Sequence, residues 1–324
     1  MKLLNPYIQK FEDYLNTSMG QLPNLSLYEP IKYIMDAPGK RIRPALAMLG
    51  CELTGGDPAS ALPVALAVEV FHNFTLVHDD IMDDADIRRG KESVHIKYGE
   101  SNAILSGDAM MMLTYKLLDQ YPGTTYNELI RTITRTGLGL CEGQQSDMDF
   151  EVTHDVSIQD YLLMIEKKTS ILLGAALKMG SIVSGADIEK QEHLYQFGKN
   201  IGIAFQIHDD ILDAFGDTVK VGKVRCGDII NNKKTYLYLK ALELSDEAQK
   251  NKLKDHFSSS PDDPTDKINE VLSMFRMLAV EEYANQLKEA YLQLGKSHLL
   301  AVEGDEAVKS NLISLSDFLI QRES

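Results

Sequence analysis

The chain has 324 residues, 44% of them hydrophobic, with 33 Lys and Arg against 48 Asp and Glu and a net charge of −15. That length is ample for a large buried core, and the acidity excludes a simple basic nucleic-acid binder. Cys51, Cys141 and Cys226 are too scattered for a disulfide framework or a zinc site. No uninterrupted apolar run of about 18 residues marks a membrane span, and residues 1–6 do not read as a signal peptide. These features lead to the expectation of a cytoplasmic protein without stable membrane insertion.

In chain order, apolar residues recur at helical spacing almost from end to end. From Val64 to about Ala85 there is no Gly or Pro, and Leu66, Val70, Phe74, Val77 and Ile81 form one apolar stripe. The same periodicity predicts helices over 103–120, 126–141, 158–183, 189–212, 233–244 and 264–294, with a last amphipathic piece at 306–322. Turn-forming clusters separate them at 55–58, 121–123, 184–187 and 258–264. No run of alternating strands is visible, so the expected fold class is all-α. The 258–264 stretch is short enough for a helix–helix loop rather than a domain boundary.

One acidic phrase is written twice, His78-Asp79-Asp80-Ile81-Met82-Asp83 and His208-Asp209-Asp210-Ile211-Leu212-Asp213. On a helix, the first and last Asp of each phrase lie four residues apart on one face. A row of like charges there is destabilising unless something positive sits between them. One such cluster reads equally as a solvated helix end; two of them favour a divalent metal. Carboxylate oxygens suit Mg²⁺, which binds through one or two carboxylates and completes its shell with waters or phosphate oxygens. The two phrases can serve one site only if both halves of the chain build one domain. A single large helical bundle around a central cavity, spanning residues 1–324, is therefore expected.

Cations accompany the acidic phrases. Gly39-Lys40-Arg41-Ile42-Arg43-Pro44 places three of them directly before a predicted helix start, a plausible grip for phosphate. Arg88-Arg89-Gly90 follows the first cluster, Lys223 and Lys233 follow the second, and Lys167-Lys168-Thr169 opens a further candidate. Any single pair reads as surface. The recurrence points to a cavity that holds a diphosphate at its mouth with apolar material beneath.

With those residues in hand, the chain resembles the trans-isoprenyl diphosphate synthases, the polyprenyl synthetases that make farnesyl, geranylgeranyl and longer chains. The resemblance rests on the 39–44 run, Asp79-Asp80-x-x-Asp83 with Arg88-Arg89-Gly90, Gly143-Gln144-x-x-Asp147, and Lys168-Thr169. It continues through Phe205-Gln206-x-x-Asp209-Asp210-x-x-Asp213, Gly222-Lys223 and Asp228-Ile229-x-x-Asn232-Lys233, in order over about 35–240. It implies the isoprenoid synthase fold and a homodimer.

The resemblance also implies residue roles. Asp79, Asp83 and Asp209 would ligate three Mg²⁺ on the allylic diphosphate (dimethylallyl, geranyl or farnesyl), supported by Asp80, Asp210 and Asp213. Arg88, Lys168, Lys223 and Lys233 would grip the same diphosphate. Lys40, Arg43, His72 and Arg89 would hold isopentenyl diphosphate. Gln144, Asp147, Thr169, Phe205 and Gln206 would line the site, with Phe205 and Gln206 suited to steady a carbocation. No Ser, Cys or His nucleophile is needed.

Product length should depend on the floor beneath Asp79. Thr75 and Phe74 lie four and five residues back and Phe71 another turn below, so Phe74 sits about 7–8 Å along the helix axis from the metal face. One aromatic beside a small Thr75, with two residues between Asp80 and Asp83, is similar to geranylgeranyl synthases and implies a C20 product. The alternatives are C15, a longer chain, a class I terpene cyclase, or a non-catalytic synthase subunit. Lys40, Arg43 and Arg89 speak against the cyclase, and two intact acidic clusters against the inactive subunit. One departure stands out: relatives show Gly-Lys-x-x-Gly-x-Asp where this chain has Cys226 at the second glycine, and Gly227 is expected to absorb the bend.

Overall fold

A computed structural model of the chain describes residues 2–153, 155–216 and 226–321. Its contacts divide the chain into two compact units. The first comprises Met1–Arg135, Leu172–Tyr195 and Ala301–Leu312, and the second Thr136–Ile171, Gln196–Leu300 and Ile313–Ser324.

In the first unit, helices α1 (Asn5–Gly20), α2 (Glu29–Met35), α3 (Ile42–Leu53) and α4 (Leu62–Met82) precede a short hairpin, β1 (Ile87–Arg88) with β2 (Lys91–Glu92). Then come α5 (Val94–Tyr98), α6 (Glu100–Leu118) and the start of α7 (Gly123–Val152). The organising element is α4, which packs along α6 and α3. Its Pro63 suits a first helical turn, where a missing N–H costs nothing, and every residue from Val64 to Phe71 is buried. Among the described residues, Pro58–Met82 is long and apolar enough to span a bilayer, but 61% of its apolar window is buried in the protein, so that apolarity fills a core. The helix ends where Asp84 turns left-handed (φ 49°), a conformation Asp tolerates better than bulky residues.

The second unit holds the rest of α7, α8 (Ile158–Ile165) and a π-helical turn at Glu166–Ser170 that runs into α9 (Ile171–Val183). It also holds most of α10 (Ile188–Phe215), α11 (Gly227–Ile230), α12 (Tyr236–Leu244), α13 (Glu247–His256), α14 (Thr265–Met277), α15 (Val280–Ala301) and the end of α16 (Glu306–Gln321). A reciprocal Ser157–Asp160 capping box starts α8. Its core joins Tyr161, Ile203, Ile207 and Ile211 to Leu237, Leu272 and Phe275, each fully buried aliphatic side chain contributing about 1.5–3 kcal/mol.

The all-α expectation holds, with informative departures. The expected 126–141 helix continues to Val152. The expected 264–294 helix is two, broken at Ala279, which is left-handed (φ 52°). Lys233 lies before α12 rather than opening it. The expected 158–183 helix is interrupted by the π turn.

Candidate functional site

The loop before α3 builds a cationic nest in the first unit. Arg41 caps α3 in a left-handed conformation (φ 45°), and that turn sends its guanidinium inward. Nε donates to Glu12 and Nη1 to Glu69, both at 2.7 Å, and Nη2 donates to the Met35 carbonyl at 2.8 Å. Burial works against this cation, but Glu69 and Glu12 outweigh it and hold its pKa above the ordinary arginine value. Arg41 thus anchors the loop that carries Lys40 and Arg43.

Arg43 reaches α4, where its Nη1 lies 3.3 Å from His72 Nε2. Its Nε is buried without a partner among the described residues. Burial lowers Arg43 to about 10, with Glu69 pulling against it and the Arg89 charge adding to it. His72 is held well below the usual histidine range by burial, then by the charges of Arg43, Arg89, Arg88 and Arg41. It is therefore a neutral imidazole at pH 7, able to accept from Arg43.

Arg89 arrives by the hairpin. Arg88 pairs with Lys91, so Arg89 (φ 52°) and Gly90 (φ 76°) form the two-residue turn, and positive φ at both central positions fits the twist of such a hairpin. The Arg89 guanidinium packs against Gly39, whose added Cβ would meet its Nη1 at 3.2 Å, and it donates to Asn73 at 3.5 Å. Burial lowers its pKa as well. Arg41, Arg43 and Arg89 thus surround one buried carboxylate, Glu69 (3% exposed). The excess positive charge and the orphaned Arg43 Nε are what an anion would satisfy.

The first acidic cluster ends the same helix. Asp79 is half-buried, Asp80 fully buried and Asp83 exposed. Asp83 lies just past the helix end, yet its N–H donates to the Asp79 carbonyl at 2.8 Å, which keeps the two residues one turn apart. Asp80 Oδ1 accepts from Arg88 Nε at 2.7 Å and closely from Nη2, while Oδ2 is buried without a partner among the described residues. Burial opposes the Arg88 charge, but Asp80, Asp79 and Asp83 raise its pKa overall. One and two turns earlier, the Phe74 ring stands edge-on to His78 at 5.0 Å and to Phe71 at 5.3 Å, between centroids. Thr75 donates its hydroxyl to the His72 carbonyl at 2.8 Å.

The second unit gathers the other predicted residues. The π turn inserts one residue into an otherwise regular helix and re-aims its side chains. α7 and α10 approach that turn through glycines: an added Cβ at Gly143 would lie 2.4 Å from Lys168 N, and one at Gly202 would lie 2.7 Å from Ser170 Cα. These approaches let Lys168 Nζ reach Asp147 Oδ2 at 2.5 Å and Thr169 donate to Gln206 Oε1 at 3.4 Å. Both amide atoms of Gln144 are buried without a partner among the described residues.

On α10, Gln206 Nε2 donates to Asp210 Oδ1 at 3.2 Å, and the Tyr161 hydroxyl of α8 donates to Asp210 Oδ2 at 2.5 Å. Burial, then the Asp228 charge, pushes Asp210 well above the usual carboxylate range, with the two donors pulling against them. Asp213 accepts the N–H groups of Gly227 (3.1 Å) and Asp228 (3.0 Å), capping α11. Asp210, Asp213, Asp228 and Lys233 line one small pocket with Phe257 and Phe275. Asp209 and Phe205 are half-buried.

Lys223 lies outside the described residues. The bend expected at Gly227 is made by Cys226, which is left-handed itself (φ 59°) and fully buried, whereas Gly227 begins α11. Burial of the Cys226 side chain offsets a left-handed cost of about 1–2 kcal/mol.

Among the described residues, no three His, Cys, Asp or Glu side chains group closely enough to cage a metal ion. On α4, the half-buried Asp79 and the Asp80 Oδ2, which has no partner among the described residues, are oxygen donors of the kind a hard cation takes when water and a phosphate-bearing substrate complete its shell.

Sequence reasoning missed Glu69, Asn73 and Tyr161. Glu69 carried a signal, a lone carboxylate inside an apolar stripe three residues before His72, since a buried charge is paired almost by necessity. Tyr161 carried none.

The polyprenyl synthetase family model matches residues 24–275. The chain is 35% identical over 324 residues to a short chain isoprenyl diphosphate synthase of Methanothermobacter thermautotrophicus, covering 100% of this chain and 98% of that one. It is 38% identical over 299 residues to a geranylgeranyl diphosphate synthase of Methanosarcina mazei, covering 92% and 90%. A crystal structure of a geranylgeranyl pyrophosphate synthase superposes with a TM-score of 0.94 at 41% identity, covering 99% of each chain.

Proposed function

As a member of the polyprenyl synthetase family, this chain is a prenyltransferase, and we propose that it condenses isopentenyl diphosphate head-to-tail with an allylic diphosphate to make geranylgeranyl diphosphate. The observation that carries this reading is the nest of Arg41, Arg43 and Arg89 around neutral His72, on the helix that ends in Asp79 and Asp80. A cyclase has one diphosphate to hold. Here an anion nest and a metal-type carboxylate face share α4, which suits a reaction with two diphosphates. The names of the relatives support the C20 product.

In this reading Lys40, Arg43, His72 and Arg89 hold isopentenyl diphosphate. Asp79, Asp83 and Asp209 would hold Mg²⁺, expected as three ions, and the metal would supply neutralisation of the leaving allylic diphosphate. Arg88, Lys168, Lys223 and Lys233 add charge to the same group, and the allylic C–O bond ionises. Gln144, Phe205, Gln206 and Thr169 line the allylic side. The double bond of isopentenyl diphosphate then attacks C1 of the cation, and loss of a proton to the departing diphosphate leaves a product five carbons longer. Apolar walls exclude the water that would quench the cation.

The family model spans parts of both units, which supports reading the chain as one synthase domain. We read the working form as a cytoplasmic homodimer, and the exposure of Leu105 and Met112 on α6, 56% and 54%, supports a second copy. The test is a product assay with labelled isopentenyl diphosphate, Mg²⁺ and each allylic primer in turn. A C20 alcohol after dephosphorylation is expected. Failure to elongate any primer overturns the reading.

A further inference from the structure

Tyr161 heads the largest fully buried side chains, at 1% exposure, and a tyrosine so placed needs a partner for its hydroxyl. That partner is Oδ2 of Asp210, at 2.5 Å. The other oxygen of Asp210 accepts from Gln206 Nε2 at 3.2 Å, one turn away on α10. An amide has one donating end and one accepting end. With Nε2 committed to Asp210, Oε1 is the end turned to Thr169, whose hydroxyl donates to it at 3.4 Å. While Asp210 is a carboxylate, accepting at both oxygens, reversing the amide would set oxygen against oxygen there. Gln206 and Asp210 share a helix and cannot fix each other's rotation alone. Tyr161, from α8, supplies the outside constraint.

We propose that Tyr161 is a positioning residue for the condensation: by holding Asp210 it keeps the carbonyl end of Gln206 facing Thr169 and the allylic side. The proposal rests on the reading that Gln206 and Thr169 line that side. A carbonyl oxygen aimed at a developing cation stabilises it, and the reversed amide would oppose it. The hydroxyl therefore acts through two intervening groups without touching substrate.

Tyr161→Phe removes one atom and keeps the ring. It is expected to lower kcat about 10- to 100-fold, with KM for isopentenyl diphosphate within about twofold and calorimetric binding of inorganic pyrophosphate with Mg²⁺ within about threefold. A merely structural role would move all three together with the melting temperature. In a Gln206→Leu background Tyr161→Phe should cost nothing further, because both changes break one relay. If Tyr161→Phe fails to fold, Gln206→Leu alone must show the same kcat loss at unchanged KM, and full activity there overturns the proposal. Unchanged kcat in a folded Tyr161→Phe protein, or an additive loss in the double variant, overturns it as well. Those results leave the synthase reading standing. A wild-type protein that elongates no primer removes both.

Discussion

Replacing Phe74 with alanine should lengthen the product by one isoprene unit. Phe74 stands three residues above Phe71 on α4, about 4.5 Å along the helix axis, and the two rings are 5.3 Å apart between centroids. An extended backbone advances about 3.3–3.6 Å per three-bond residue. A four-bond isoprene repeat therefore advances about 4.4–4.8 Å. If Phe74 is the floor, deleting its ring should move the floor to Phe71, a drop of one repeat, and the main product should move from C20 to C25. Phe71→Ala in addition leaves only Ala67 and Val68 one turn below, so the double variant should release longer and more mixed chains. Phe74 is half-buried, so the stability cost should fall below the ~3–5 kcal/mol of a fully buried Phe→Ala change. Chromatography of dephosphorylated products from labelled isopentenyl diphosphate reads the result. A Phe74→Ala protein that still stops at C20, or that passes C25 without accumulating it, refutes Phe74 as the floor.

Asp79→Asn and Asp209→Asn should each lower kcat at least about 10²-fold with little change in melting temperature; a rate within tenfold of wild type at saturating Mg²⁺ would remove that residue from the metal face. Arg41→Gln strands Glu69, whose side chain is 4% exposed beside an Arg41 that is 3% exposed, and should cost about 3–5 kcal/mol in a denaturant melt; a cost below 1 kcal/mol contradicts the anchoring role. His72 ties stability to pH, because its pKa is held below the ordinary 6.5 when folded. As pH falls below about 6.5 the unfolded chain takes a proton that the folded one refuses, so stability drops with acidity, by at most about 1.4 kcal/mol per pH unit from this group. His72→Gln should flatten the dependence of melting temperature on pH between about 6.5 and 5; an unchanged slope assigns it to other groups.

The helices and the acidic faces were legible because both are periodic. The α4 stripe from Leu66 to Ile81 and the repeated Asp-Asp-x-x-Asp phrase need only the 3.6-residue turn to be read. What stayed hidden depends on partners far along the chain. Tyr161 and Asp210 are 49 positions apart, and Arg41 meets Glu12 and Glu69 across 29 and 28. No local pattern announces such pairs. The π turn at Glu166–Ser170 was hidden for a different reason: nothing in its own residues marks it, and what accompanies it is the close approach of Gly143 and Gly202 from other helices. Cys226 shows the limit of turn rules. The left-handed bend falls where the family pattern has glycine, on a fully buried Cys226, rather than at Gly227.

The repeated phrase also shows that identical letters need not be identical machinery. In both copies the second Asp is buried, and a buried carboxylate must be answered by donors. Asp80 is answered by a cation, Arg88, on the hairpin that also delivers Arg89. Asp210 is answered by two neutral donors, a phenol and an amide. In the proposed reading, the first arrangement would couple the metal face to a phosphate grip through the Arg88–Asp80 pair. The second would tie Asp210 to Gln206 and, through it, to Thr169. If the proposed roles hold, one acidic phrase serves binding and the other the lining of the allylic side, a division set by what packs behind each helix rather than by the motif itself.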